Sequence, residues 1–298
     1  MNKENIVIVT DLTNRSIAAI KTGVEWAQTL NCGVILVHIH KGDEAERLVT
    51  IFPEFETKLK DFSDSLKASL EKKMKIQLSG FKNHDIPISS RVFYSNDIEK
   101  YIKSIETLKP KLLVVPVIET EFDSFWSGSV VEQLIRLSKA PVLIVKKEIL
   151  NCESILVPFA FQGFSEKVLD VSKELSKAFK SKVSAIHILK NKKKETERFS
   201  LLNLESIVKK PAEVARAKVI RSQLETLQAS ESLEDLRIID GDGHPKEVLL
   251  EEINNSKSDL VLMGSSGKRA IERLYLGSFC EYILRNSNTS MLIVKNHD

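Results

Sequence analysis

In the second half of the chain, Gly264-Ser265-Ser266-Gly267 is followed, nine residues later, by Gly277-Ser278. Glycines allow positive φ and let a backbone approach another group closely. A helix opening at Gly277 offers unpaired N–H groups and the positive end of its dipole. Together these are the parts of a phosphate cradle. Ser265, Ser266 and Ser278 add hydroxyl donors, and Lys268 adds a cation nearby. Two commoner cradles are absent from the sequence. There is no GxxxxGK[ST] run, and Gly241-Asp242-Gly243 lacks the third glycine of GxGxxG.

Other reactive residue types do not assemble into a site. His38 and His40 lie two apart on a strand and so share a face. No third metal ligand stands at a recognisable spacing, so buried strand histidines are expected, and His187 repeats the position of His38. His244 is expected in a solvated turn rather than on a phosphate, and the run 190–194 as a solvated charge cluster rather than a nucleic-acid patch. Cys32, Cys152 and Cys280 show no CxxC spacing, which excludes a disulfide scaffold and a thiolate zinc site. Cys280 falls in the first turn of the last helix, where the dipole favours a thiolate and burial opposes it; both readings stay open. Phe159 and Phe161 either fill a pocket or stack a base. No Ser/His/Asp constellation, carboxylate pair or metal cluster appears. The expectation is a protein that is not an enzyme, or at most a slow hydrolase.

The elements that position the cradle come from a duplicated chain. Segment 128–146, GSVVEQLIRLSKAPVLIVK, matches segment 277–295, GSFCEYILRNSNTSMLIVK, at an offset of 149 residues. The same offset pairs Ser16 with Ser165 and His38 with His187. A boundary falls at 147–151, giving domains 1–148 and 149–298. Short β-branched runs at 6–9, 34–39, 90–93, 112–117 and 142–145 recur at 155–157, 183–189, 236–239, 260–263 and 291–294. They are continuous rather than alternating, as in parallel strands buried on both faces. Amphipathic stretches at 16–30, 55–78 and 97–108, then 165–179, 211–227 and 246–255, lie between them. This alternation predicts an α/β fold of two doubly wound five-stranded parallel sheets. Ligands in such sheets sit beyond the carboxyl ends of the strands, where the strand order reverses.

Composition limits the partners. The 298 residues carry 44 Lys plus Arg against 41 Asp plus Glu, a net charge of +3, with 42% hydrophobic and 29% charged residues. That balance suits a soluble globular chain of about two domains. It gives no electrostatic reason to expect nucleic acid or a membrane as partner. No apolar run approaches the roughly 18–20 residues of a spanning helix. The opening MNKENIVIVTD is no signal peptide, so a cytoplasmic location is expected.

The G-x2-G-x9-G-S pattern after a fourth strand, in a tandem duplication, resembles the nucleotide-binding motif of the universal stress protein family. Asp242-Gly243-His244-Pro245 is similar to that family's turn before the third helix. The resemblance covers both halves. It implies an adenine nucleotide alpha hydrolase-like fold with strand order 3-2-1-4-5, and an intramolecular pseudo-dimer in which 142–145 meets 291–294. It also implies an ATP or ADP site, with or without Mg2+, acting as a regulatory signal in a stress response that an unidentified protein partner reads. Whether the pseudo-dimer pairs again as a homodimer is open. Carried onto this chain, the site comprises Pro158, Ala160, Ile188, Met263, Gly264, Ser265, Gly267, Lys268, Gly277, Ser278 and Phe279. The two copies divide the family's equipment. The first has the acid, Asp11, but Pro116-Val117-Ile118-Glu119 where the glycines belong, and Trp126 in place of Tyr275. It is not expected to hold a triphosphate, and Asp11 is expected to cap the first helix. The second has the glycines but Ala160 at the acid's position. The competing expectation is a scaffold protein whose sites are relics.

Overall fold

The computed structural model describes residues 4–41, 51–52, 54, 56–81, 85–95, 97–117, 130–158, 166–190, 235–241, 244–265 and 277–295. The chain divides into two compact units, Met1–Asn151 with Ser290–His297, and Cys152–Thr289.

The first unit contains β1 (Asn5–Thr10), α1 (Ile17–Thr29), β2 (Gly33–Lys41) and α2 (Glu56–Leu78). They are followed by β3 (Ile88–Ser95), α3 (Ile98–Thr107), β4 (Pro110–Pro116), α4 (Val130–Leu137) and β5 (Val142–Val145). Its strands lie in the order β3-β2-β1-β4-β5, with parallel registers such as Val7↔Ile35 and Val114↔Leu143. This is the strand order the family resemblance implies. The chain's last strand, β10 (Ser290–Val294), pairs antiparallel with β5 through Met291↔Ile144 and Ile293↔Val142. That is the expected meeting of the two closing strands.

Consecutive side chains of β1, β4 and β5 are buried without alternation, so both faces of these strands are covered. Helix α1 packs on β1, and Gly23 sets how closely. A Cβ there would lie 2.5 Å from Ile8 Cδ1, so the helix approaches β1 only because Gly23 lacks one. Trp26 is fully buried; its Nε1 donates to Ile149 O at 3.1 Å, while Ile149 N donates to Thr22 Oγ1 at 2.9 Å. These bonds hold the junction between the duplicated halves on α1.

The second unit repeats the plan with β6 (Ser154–Pro158), α5 (Glu166–Phe179), β7 (Lys182–Lys190) and β8 (Asp235–Gly241). Then come α6 (Pro245–Ser256), β9 (Leu260–Gly264) and α7 (Ser278–Asn286). Its strand order is β9-β6-β7-β8, again parallel. The sequence offset reappears in the hydrogen bonds. Gly33 N donates to Glu4 O at 2.9 Å, and Lys182 N donates to Glu153 O at 2.8 Å. Asn31 and Lys180, each just past a helix end, both adopt positive φ, at 53° and 56°. Asp259 then ties β6 to β9, its Oδ2 accepting from Glu153 N, Ser154 N and Ser154 Oγ at 2.9–3.0 Å. All three cysteines are buried and none forms a disulfide; burial pushes the Cys152 thiol up to about 12. The expected helix at 211–227 lies outside the described residues. No described helix is long and apolar enough to cross a membrane.

Candidate functional site

Strand β9 delivers Met263 and Gly264 to its carboxyl end, and Ser265 follows, with Met263 and Ser265 buried. Gly277 N donates to Ser265 O at 2.8 Å. One hydrogen bond thus closes the glycine-spaced segment and brings the end of β9 to the start of α7. Gly277 is the N-cap of α7, at φ −54° and ψ 141°, with no side-chain cap. Glu281 N donates to Gly277 O at 3.0 Å to close the first turn. The amides of Ser278 and Phe279 therefore have no acceptor among the described residues. Both residues are exposed at this helix start, and Cys280 turns inward to 2% exposure.

Gly264 shows what the fold requires of this position. A Cβ there would meet Val168 Cγ2 at 3.5 Å, an ordinary contact, and its backbone does not lie in the left-handed region. Packing among the described residues does not demand glycine. A group approaching the backbone closely would. Backbone amides at a helix start, beside a strand end without a side chain, can receive an anionic group. Among the described residues no group of three His, Cys, Asp or Glu is placed to hold a metal, so Mg2+ gains no support from them.

The register sets the rest of the edge. Leu156 pairs with Val261, which places Pro158 level with Met263 at the carboxyl ends of β6 and β9. Pro158 pairs with Ile186, and half-buried Ile188 lies two residues further along β7, beside Ile239. Ala160, Gly267 and Lys268, as well as Phe159, Phe161, Ser266 and the run 191–194, lie outside the described residues. So do Asp242, Gly243, Glu119, Trp126 and the glycine-serine pair at 128–129. His244 is exposed and acts locally. Its Nδ1 accepts from Lys246 N at 3.4 Å, capping α6.

The corresponding edge of the first unit is built differently. Asp11 does not cap α1, contrary to the sequence expectation; Ser16 is the N-cap residue, and Thr13 caps the preceding 3-10 turn. The Asp11 carboxylate instead accepts from Ser16 Oγ at 2.6 Å, Thr13 N at 2.8 Å and Thr13 Oγ1 at 2.8 Å. Burial pushes this carboxyl up, but the bonds from Ser16 and Thr13 outweigh it and hold Asp11 below its ordinary range. Leu12, between them, is forced to φ 63°, and its N–H donates to Thr10 Oγ1 at 3.0 Å. Gln77, in the last turn of α2, closes over the same loop. Its Oε1 accepts from Thr10 Oγ1 at 2.8 Å, and its Nε2 donates to Thr13 O at 3.0 Å.

His38 is half-buried rather than buried, because it stands at the carboxyl edge of β2. Its Nδ1 donates to Thr10 O at 2.9 Å, and burial holds the ring below its ordinary value. His187 is half-buried at the repeated position. Sequence reasoning missed Gln77, which reaches its partners across 64 residues and has no local signature. The cleft lined by Lys103, Thr107, Lys109 and Lys139 is not a rival site. It opens at the amino end of β4, opposite the carboxyl edge where ligands of such sheets sit, and Glu106 pairs there with Lys139 at 3.7 Å.

The sequence model of the Universal stress protein family matches residues 3–146 and again 152–295. The chain belongs to the universal stress protein family. It carries two tandem copies of that family's domain. Two universal stress proteins of Methanocaldococcus jannaschii are similar to it. One is 37% identical over 54 residues, which cover 18% of this chain and only 32% of that relative. The other is 26% identical over 156 residues, covering 48% of this chain and 94% of the relative. A universal stress protein structure from Archaeoglobus fulgidus shares the fold over 100% of both chains, with a TM-score of 0.66 at 15% identity. A universal stress protein solved in complex with cAMP aligns with 49% of this chain and 99% of its own, at 18% identity and a TM-score of 0.34.

Proposed function

We propose that this tandem universal stress protein binds an adenine nucleotide, ATP or ADP, in its C-terminal domain, as a regulatory signal in a stress response. The two domains are taken as 1–148, with a degenerate phosphate loop, and 149–298, with the complete glycine pattern. The observation that carries the proposal is the Gly277 N to Ser265 O bond. It brings the start of α7, whose Ser278 and Phe279 amides have no acceptor among the described residues, to the end of β9, where phosphate oxygens would be received. Pro158, Ala160, Ile188 and Met263 would line the nucleoside side, and Gly267 and Lys268 would complete the phosphate side. Family precedent for an adenine nucleotide exists in the member solved with cAMP. Binding would change a surface that a protein partner reads. A cytoplasmic location belongs to this proposal.

The test is to denature freshly purified protein and identify released small molecules by mass spectrometry. ATP or ADP near one per chain is expected. A blank, together with no thermal stabilisation by millimolar ATP and Mg2+, would remove the proposal, because a ligand that binds the folded state must stabilise it.

One observation favours a scaffold role for the first unit. Its Asp11 carboxylate and the loop from Thr10 to Thr13 are bonded to the protein's own groups rather than presented to a ligand.

A further inference from the structure

Lys246 sits where its charge is not wanted by the protein. It is the second residue of α6, at the positive end of that helix's dipole, where acids stabilise and cations do not. Its Nζ lies 5.7 Å from the Phe279 ring centroid and 5.9 Å from that of Tyr282, both in the first turns of α7. The ammonium is therefore held over aromatic faces at the opening of a second helix, again at the positive end of a dipole. Among the described residues the acids nearby do not compensate it. Glu281 of α7 pairs with Arg285 at 2.9 Å, and Glu247 on α6 is exposed. Among the described residues Lys246 has no carboxylate within ion-pair distance. One ammonium and two helix starts thus gather positive potential beside the chain segment that contains Ser278.

We infer that Lys246 is a specificity residue of the proposed nucleotide site, reaching the charged end of a ligand whose phosphate lies on the Ser278 and Phe279 amides. The inference rests on the nucleotide reading and deepens it. The ligand class is a nucleoside polyphosphate, because each added phosphate charge meets a cation that has no carboxylate partner among the described residues. Adenosine, with the same base and ribose, offers Lys246 nothing. The rings of Phe279 and Tyr282 fix where the ammonium waits, so the side chain gives up less freedom when the anion arrives.

The experiment is calorimetric titration of the full chain with ATP, ADP, AMP and adenosine at one fixed Mg2+ concentration. The wild type should bind ATP most tightly and adenosine most weakly. In K246Q, ATP affinity should fall about tenfold, the scale of a charged hydrogen bond lost, while adenosine affinity holds. K246R should recover most of the difference. Equal melting temperatures without ligand confirm that the variants fold, as expected for a half-exposed side chain. Unchanged ATP affinity in K246Q overturns the inference and leaves the nucleotide reading standing. A parallel loss for ATP and adenosine also overturns it, because Lys246 would then act through packing alone. If the wild type binds none of the four, the nucleotide reading itself fails and takes the inference with it.

Discussion

The carboxyl edges of the two copies occupy the same place in the repeat, and among the described residues they are built differently. Beyond β1 the loop is bonded to itself and to α2. Asp11 takes three donors, Thr10 binds Gln77, and Gln77 returns to Thr13. Beyond β6 and β9, by contrast, the described edge ends in Pro158 and Gly264, and α7 opens with amides that have no protein acceptor among the described residues. A polar group satisfied internally gains little from a ligand, because one hydrogen bond only replaces another. Unpaired donors beside bare backbone gain most. Among the described residues, the duplication therefore left one edge bonded to the protein's own groups and one whose helix-start amides have no protein acceptor.

Gly277→Asp should have the largest effect. Asp caps helices well and Gly277 has a negative φ, so the fold should keep its melting temperature. Its carboxylate would stand where phosphate is received, and ATP affinity should fall roughly a hundredfold, or about 2.7 kcal/mol. Calorimetry that shows wild-type affinity would erase the contrast between the edges. Gly264→Ala comes next. Its new Cβ meets Val168 at an ordinary 3.5 Å, so unliganded stability should stay within about 0.5 kcal/mol, while ATP binding weakens about tenfold. Loss of stability without loss of affinity would show that the glycine serves the fold.

In the first unit the expected pattern reverses. Asp11→Asn should cost about 1 kcal/mol in urea unfolding and leave ATP affinity untouched, since the carboxylate holds the loop. Because Asp11's folded value lies below its ordinary range, its stabilisation is fully present above that range and is lost as pH falls through the folded value. Acid unfolding curves of wild type and D11N should converge at low pH; a constant gap would refute the role. Gln77→Ala should have the smallest effect, about 0.5–1 kcal/mol for two partly exposed hydrogen bonds, with ATP stoichiometry unchanged at one per chain. A second ATP per chain in Q77A would mean that Gln77 alone closes the first edge.

Much of this was legible in the residues alone. The offset of 149 residues located the duplication, and the same offset governs paired backbone bonds such as Gly33 N to Glu4 O and Lys182 N to Glu153 O. Local pattern suffices there, because a β-branched run and an amphipathic helix each declare their own face. The glycine pattern was legible for the same reason, because its glycines and serines lie in one short stretch of chain, and its use as a phosphate cradle rests on the proposal. Asp11 was misread because capping propensity is local, while its partners depend on a turn through Leu12 at positive φ. Gln77 and Lys246 carried no signal that spacing could isolate, since each acquires its meaning from an element distant in sequence.

By itself, the sequence determined the family, the tandem repeat, the alternation of strands and helices, and which half kept the glycines. All of these are written in residue type at short range, where periodicity and backbone freedom act. Only the tertiary structure decided how the described residues of the two edges are bonded. It carried Gln77 onto the loop after β1, and it placed the Lys246 ammonium over Phe279 with no acid at ion-pair distance among the described residues. Hydrogen bonds and unpaired charges depend on distances of a few ångströms between remote segments, and those distances exist only once the sheets and helices have packed.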